Sequence, residues 1–185
     1  MTGQITTGNL GSDPVNAKHL VESELVVGLV GAIGTELKRI GELLEKQLVR
    51  AGYCVHRVKI SRDVIPLFGT VEHKNDQFDR IRKLMDAGNA ARDSSNDDSV
   101  LALGASATIA AKRSGDGSPS YRTAYIIDSL KRPEEVERLR KIYPGGFILV
   151  GVYAEEGRRL RALTDVGISP EDAQNSLKTM RTKSL

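Results

Sequence analysis

The sequence predicts an α/β fold in which a mostly parallel sheet lies between two layers of helices, three layers in all. Three observations carry this. Strand-like and helix-like segments alternate along the chain. The first strand-like run, ELVVGLV, is continuously apolar rather than alternating, as in strands buried on both faces. The connections are short, and a glycine-rich turn joins the first strand to the first helix. Ligands of such sheets bind at the carboxyl ends of the strands, where Gly31, Asp128 and Tyr153 fall.

Taken in order, residues 1–22 are polar and glycine-rich, with no basic-then-apolar leader pattern, and read as a flexible tail. Residues 24–30 form the first strand. From 35 to 50, Leu37, Ile40, Leu43, Leu44 and Leu48 recur at helical spacing, and Gly52 stands where a C-terminal cap belongs. A second strand over 53–60 completes a βαβ unit. Residues 61–74, marked by Pro66, Gly69 and His73, read as loop or short helix. A helix over 76–92 carries Phe78, Ile81, Leu84, Met85, Ala87 and Ala91 on a face. DSSNDD (93–98) then supplies a turn and the N-cap of a helix over 99–113. SGDGSPS (114–120) is a loop, and 121–127 is a third strand ending in Asp128. Pro133 opens a further helix, Pro144-Gly145-Gly146 breaks it, and 147–153 is the fourth strand. An arginine-rich stretch, Arg158-Arg159-Leu160-Arg161, follows. Residues 165–185 form a C-terminal extension with one short helix, opened by Ser169-Pro170-Glu171-Asp172.

Composition narrows the function classes. The chain has 185 residues, three Phe, five Tyr and no Trp, so its core rests on Val, Leu, Ile and Ala. A net charge of +3, with acids interspersed, does not point to nucleic acid. Cys54 is alone, which rules out an internal disulfide and suits a reducing, cytoplasmic setting; its strand context suggests a small core residue. No run approaches the ~18 apolar residues of a membrane span. His19, His56 and His73 have no metal-ligand spacing and no C-x-x-C is present, so no zinc is expected in this chain.

The residues 28–35, GLVGAIGT, bear the closest comparison with a phosphate-binding motif. Backbone N–H groups and the positive end of a helix converge after such a turn. The P-loop pattern G-x-x-x-x-G-K-[ST] is half met: Gly28 and Thr35 fit, but Ile33 replaces the second glycine and Gly34 the lysine. The candidate phosphate ligands are therefore Gly28, Gly31, Ala32, Ile33, Gly34 and Thr35, or else the glycines only make a tight turn. Thr35 is a candidate Mg²⁺ ligand or an N-cap, and Asp128 a strand-end Mg²⁺ ligand or a turn cap. Arg158, Arg159 and Arg161 read as lid arginines or as a charged helix face. Asp86, Asn89 and Arg92 share one helix face and read as a nucleoside or phosphate contact or as a solvated side. A rival reading takes the glycines as a dinucleotide turn, with Arg57, Lys59 and Arg62 favouring the 2′-phosphate of NADP, although no Tyr-x-x-x-Lys pair is present.

The segments ELVVGLVGAIGTEL, MDAGNAAR and AYIIDSLKRPEEVERLRKIYPGGFILVGVYA, with the arginines after them, resemble the amino-terminal P-loop kinase-like domain of deoxycytidylate-deaminase-type antiphage proteins. The resemblance runs over about residues 24–163 and is most specific over 124–154. It implies a P-loop NTPase or nucleotide-kinase-like fold over 23–164, with a degenerate nucleotide site. Gly28, Gly31, Gly34 and Thr35 match the family's glycine loop, Asp128 its strand-end carboxylate, and Asp86, Gly88, Asn89 and Arg92 its M-D-A-G-N-x-x-R stretch. In the family this domain precedes a zinc deaminase that converts dCTP or dCMP and depletes the pool phage replication needs. The deaminase histidine, cysteines and glutamate have no counterparts here. The implied role is thus regulatory nucleotide binding, not catalysis by this chain alone. A nucleoside triphosphate with Mg²⁺ is the implied ligand, and a deaminase domain or subunit, a homo-oligomer and an RNA regulator the implied partners. An active kinase is the alternative, with Lys38 or an arginine of 158–161 replacing the lysine. An NADP module and a scaffold with a vestigial site are the others.

Overall fold

The computed structural model describes residues 24–71, 77–113 and 117–182; the tail over 1–22, His19 and His73 lie outside the described residues. The elements are β1 (Leu25–Gly31), α1 (Leu37–Arg50), β2 (Cys54–Lys59), a π-type turn (Ile60–Val64) with a 3-10 turn (Ile65–Leu67), α2 (Gln77–Ser95), α3 (Val100–Ala110), β3 (Thr123–Leu130), α4 (Pro133–Ile142), β4 (Phe147–Val152), α5 (Glu156–Asp165) and α6 (Pro170–Thr182). The four described strands form one sheet in the order β2-β3-β1-β4, every neighbouring pair parallel.

This order and the right-handed crossover rule together place the helices. The step from β1 to β2 runs one way across the sheet, and the steps from β2 to β3 and from β3 to β4 run the other way. One face must then receive α1 and the opposite face α2, α3 and α4. The apolar contacts agree. Leu37, Leu44 and Leu48 of α1 pack on Val27, Leu29, Val55 and Ile126. On the other face Leu101, Ala105 and Ile109 of α3 and Leu139 of α4 pack on Val26, Val58, Tyr125 and Ile127. The central helix α3 buries Val100, Leu101, Ala102, Gly104, Ala105 and Ile109, so its apolar character on all sides reflects burial between the sheet and other helices.

Helix ends follow their local chemistry. Gly52 has φ +85°, and the Tyr53 N–H donates to Leu48 O at 3.0 Å, closing α1 in a Schellman motif. Asn96, at φ +50°, ends α2 in the same way, with the Asp97 N–H donating to Arg92 O. Asp97 Oδ1 then accepts from the Ser99 N–H at 2.8 Å ahead of α3. Ser169 Oγ accepts from the Asp172 N–H at 3.1 Å and opens α6 where the sequence places it.

Three expectations are corrected. The first helix starts at Leu37, not Thr35, because residues 32–35 form a separate turn. The third strand runs past Asp128 to Leu130, through a bulge: β1 residues Gly28 and Val30 oppose Ile127 and Leu130, and Ser129 takes φ +76°. Cys54 is exposed, because β2 is an edge strand of the described sheet.

Candidate functional site

At its carboxyl end β1 stops at Gly31, and the chain turns at once. The Thr35 N–H donates to Ala32 O at 3.0 Å, with Gly34 at φ +79°, a reverse turn whose third residue must be left-handed. The Leu37 N–H donates to Thr35 O at 2.7 Å, and Glu36 is the N-cap residue of α1, with no side-chain cap. Thr35 is therefore not the cap. Its Oγ1 is buried and has no partner among the described residues. Gly28 lies inside β1 rather than in the turn, and a Cβ there would meet Leu130 Cδ1 at 2.6 Å. Its lack of a side chain makes room for Leu130 and Phe147.

Helix α5 lies against this turn. A Cβ on Gly34 would come within 2.5 Å of the Arg159 carbonyl oxygen. Arg159 Nη1 donates to Ile33 O at 3.5 Å, and Arg158 Nη2 donates to Glu36 Oε2 at 2.7 Å. That hydrogen bond also holds the Glu36 carboxyl below its ordinary pKa. Ile33 turns into a small apolar cluster with Phe78 and Ile81 of α2, Leu160 and Leu163 of α5, and Leu177 of α6. Ala32 is exposed at the front of the turn. The fold thus brings Arg158 and Arg159 to the predicted glycine turn, while Arg161 stays exposed and donates within its own helix to Gly157 O.

On the neighbouring strand Asp128 faces the same side of the sheet as α1. Its Oδ2 accepts from Arg57 Nη2 at 2.6 Å, and its Oδ1 is buried with no partner among the described residues. Burial raises the Asp128 pKa above its ordinary value, outweighing the opposing hydrogen bond and charge of Arg57. The native carboxyl then holds its proton more tightly than the unfolded one, so this group favours folding at low pH. That contribution falls away as pH rises from the unfolded pKa through the raised native one. Replacing Asp128 with asparagine is expected to flatten the stability–pH curve on the side where the wild type declines. Urea midpoints measured between pH 4 and 8 check this, and parallel curves for the two proteins would contradict it.

The remaining candidates separate. Asp86 is exposed. Asn89 Oδ1 accepts from Arg92 Nη1 at 3.3 Å, and Arg92 Nη2 donates to Glu135 Oε1 at 2.7 Å in a pair with both side chains buried. Glu135 Oε2 accepts from the Lys131 and Arg132 N–H groups, closing the first turn of α4. Arg92 therefore ties α2 to the start of α4 instead of presenting a free cation. Two residues of the dinucleotide reading are paired, Arg57 with Asp128 and Arg62 with Asp63 through two hydrogen bonds of 2.6 and 2.8 Å, while Lys59 ends β2 opposite Asp128. A cavity of about 350 Å³ beyond β2 has Arg62 and Arg80 among its lining residues, together with Ile65 and Leu84.

Two residues of this region escape sequence reasoning. Glu135 reads as one acid of a charged helix, yet it is 1% exposed. Lys131 lies directly after β3, and its Nζ reaches Gly31 O, 3.5 Å away across the β1–β3 pair. The usable signal is a lysine three residues beyond the strand-end carboxylate; its neighbour 100 residues earlier is set by strand order.

The turn after β1 and the segment after β3 leave the sheet toward opposite faces, the position at which sheets of this kind open a crevice between two adjacent strand ends. Near these strand ends lie the glycine turn with Thr35 Oγ1, Asp128 Oδ1 on β3, Lys131 against Gly31 O and Arg159 against Ile33 O. Hydroxyl and carboxylate oxygens are the donor types that Mg²⁺ takes, although no cluster of three or more His, Cys, Asp or Glu side chains suited to a metal occurs among the described residues. No described helix is long and apolar enough to cross a membrane. Comparison with protein-family models and with curated proteins gives no match to this sequence.

Proposed function

We propose that the chain is a nucleotide-binding regulatory domain of P-loop, nucleotide-kinase-like type, holding the phosphates of a nucleoside triphosphate at the 31–35 turn. The observation that carries this reading is a pair of buried, unpartnered oxygens, Thr35 Oγ1 in the turn after β1 and Asp128 Oδ1 on the neighbouring β3, two of seven such side-chain atoms among the described residues. Buried polar atoms are nearly always satisfied, so two orphans flanking one crevice suit a polar ligand. Mg²⁺ with its phosphates supplies such a ligand, and Thr35 and Asp128 are the residues that would hold it. The strand order also supports the reading: β3 separates β1 from β2, whereas β2 pairs directly with β1 in the dinucleotide-binding fold.

Gly34 in place of the P-loop lysine removes a major source of phosphoryl charge stabilisation, which favours binding without turnover. The resemblance to antiphage deoxycytidylate deaminases suggests what the binding controls: a dCTP or dCMP deaminase, as a linked domain or a separate subunit. A ligand controls such a partner only by binding two conformations unequally. An active nucleotide kinase is the second reading, favoured by the two cations beside the turn, Lys131 and Arg159.

Calorimetric titration with ATP and dCTP, each with and without Mg²⁺, tests the proposal. The wild type is expected to bind a triphosphate, more tightly with Mg²⁺. Thr35→Val, which keeps the side-chain shape, is expected to lose about tenfold in the Mg²⁺-dependent affinity. ADP release during incubation with ATP would favour the kinase. Absence of any triphosphate binding would sink both readings.

A further inference from the structure

We propose that Lys131 is the cation that stands in for the missing P-loop lysine, binding a phosphate group held at the 31–35 turn. The inference rests on the phosphate-site reading above and adds a residue to it. The first argument is steric. Residue 34, where the motif has lysine, is left-handed at φ +79°, and any Cβ there would lie 2.5 Å from the Arg159 main-chain oxygen. With α5 packed against the turn, a lysine does not fit at this position, and a cation for the phosphate must come from another segment.

The second argument is the lack of a counter-ion. Among the described residues, three of the cations near the sheet's carboxyl edge are already paired: Arg57 with Asp128, Arg62 with Asp63 and Arg158 with Glu36. Lys131 forms no ion pair there. Glu135, the acid whose charge acts on it, is occupied, with Oε1 accepting from Arg92 and Oε2 from two backbone N–H groups. The contact of the ammonium is a single long one, to Gly31 O at 3.5 Å. An ammonium has three N–H donors, so most of its hydrogen-bonding capacity remains for an anion.

Position is the third argument. Gly31 is the last residue of β1 and begins the glycine turn, so the Lys131 ammonium lies at the lip of the crevice between β1 and β3. The residue is exposed at the surface. Desolvation nonetheless lowers its pKa, with the charge of Glu135 opposing and that of Arg92 adding to the shift. A phosphate beside it would relieve that penalty.

The test is calorimetry of the full chain with ATP, dCTP and inorganic tripolyphosphate. Lys131→Ala is expected to weaken binding of all three by about 10- to 100-fold, the range for a hydrogen bond to a charged group. Lys131→Arg, which keeps the charge, is expected to recover most of the loss. In the wild type, tripolyphosphate is expected to slow modification of Lys131 by an amine-reactive reagent, read by mass spectrometry, and to leave Lys38 unaffected. Wild-type affinity in Lys131→Ala, with no protection of Lys131, would overturn this assignment and leave the phosphate site standing. If the wild type binds none of the three ligands, the phosphate-site reading fails and the role of Lys131 fails with it.

Discussion

Replacing Glu135 with alanine is expected to lower the unfolding free energy by about 3–5 kcal/mol, the range for breaking a buried ion pair from one side. Glu135 is 1% exposed and Arg92 6%, so truncation leaves the guanidinium buried without its carboxylate. The same change removes the acceptor of the Lys131 and Arg132 N–H groups, now at 2.7 and 3.1 Å, and so uncaps α4. Pro133 at the first helical position needs no acceptor, so the helix start depends on this one carboxylate. Urea unfolding followed by circular dichroism measures the effect. A loss below about 1 kcal/mol, typical of exposed pairs, would mean that the pair is solvated. The double change Arg92→Met with Glu135→Leu should recover part of the loss, because apolar replacement of a buried pair removes both desolvated charges together.

Gly34→Ala is expected to destabilise the protein by about 2–5 kcal/mol, combining left-handed strain of ~1–2 kcal/mol with overpacking of ~1–3 kcal/mol. The second contribution arises because the obstructing atom, Arg159 O, is main chain of a packed helix and cannot rotate aside. Gly167 is an internal control. It has φ +91° but nothing within 4 Å of where an alanine methyl would sit, so Gly167→Ala should show the conformational strain alone, about 1–2 kcal/mol. Equal effects at both positions, read from urea midpoints, would show that α5 does not press on the turn. A larger effect at Gly34 should be accompanied by faster proteolysis within α5 and α6, since the Ile33–Leu160–Leu163 contacts would be displaced.

Much of the fold is legible in the sequence because its signals are local. Leu37, Leu44 and Leu48 recur at helical spacing, and the same three residues pack on the sheet. Gly52 reads as a helix cap from its position, and it takes the left-handed conformation that such a cap requires. The errors lie where a distant partner decides. The apolar run before Asp128 suggests a strand end there, but pairing with β1 carries the strand two residues farther through a bulge at Ser129, a residue with no intrinsic preference for φ +76°. Cys54 resembles a core residue because its neighbours are strand-like; only the sheet order makes its strand an edge.

The candidate site divides in the same way. Gly31, Gly34 and Thr35 are legible, since a strand, a glycine turn and a helix are contiguous in the chain. The gathering of Arg159 over Gly34 and of Lys131 over Gly31 is not, because each pair is brought together only by the packing of α5 or the pairing of β3. Arg92 shows the converse: its helix face suggests a ligand contact, and Glu135, 43 residues away, makes it a buried tie between helices. By itself the sequence determined the alternation of strands and helices, the caps and the existence of the turn, all governed by dihedral preference and periodicity within a few residues. Tertiary structure alone decided which charges are neutralised, which polar atoms stay unsatisfied and which cation reaches the turn, because electrostatics and packing act through space and take no account of separation along the chain.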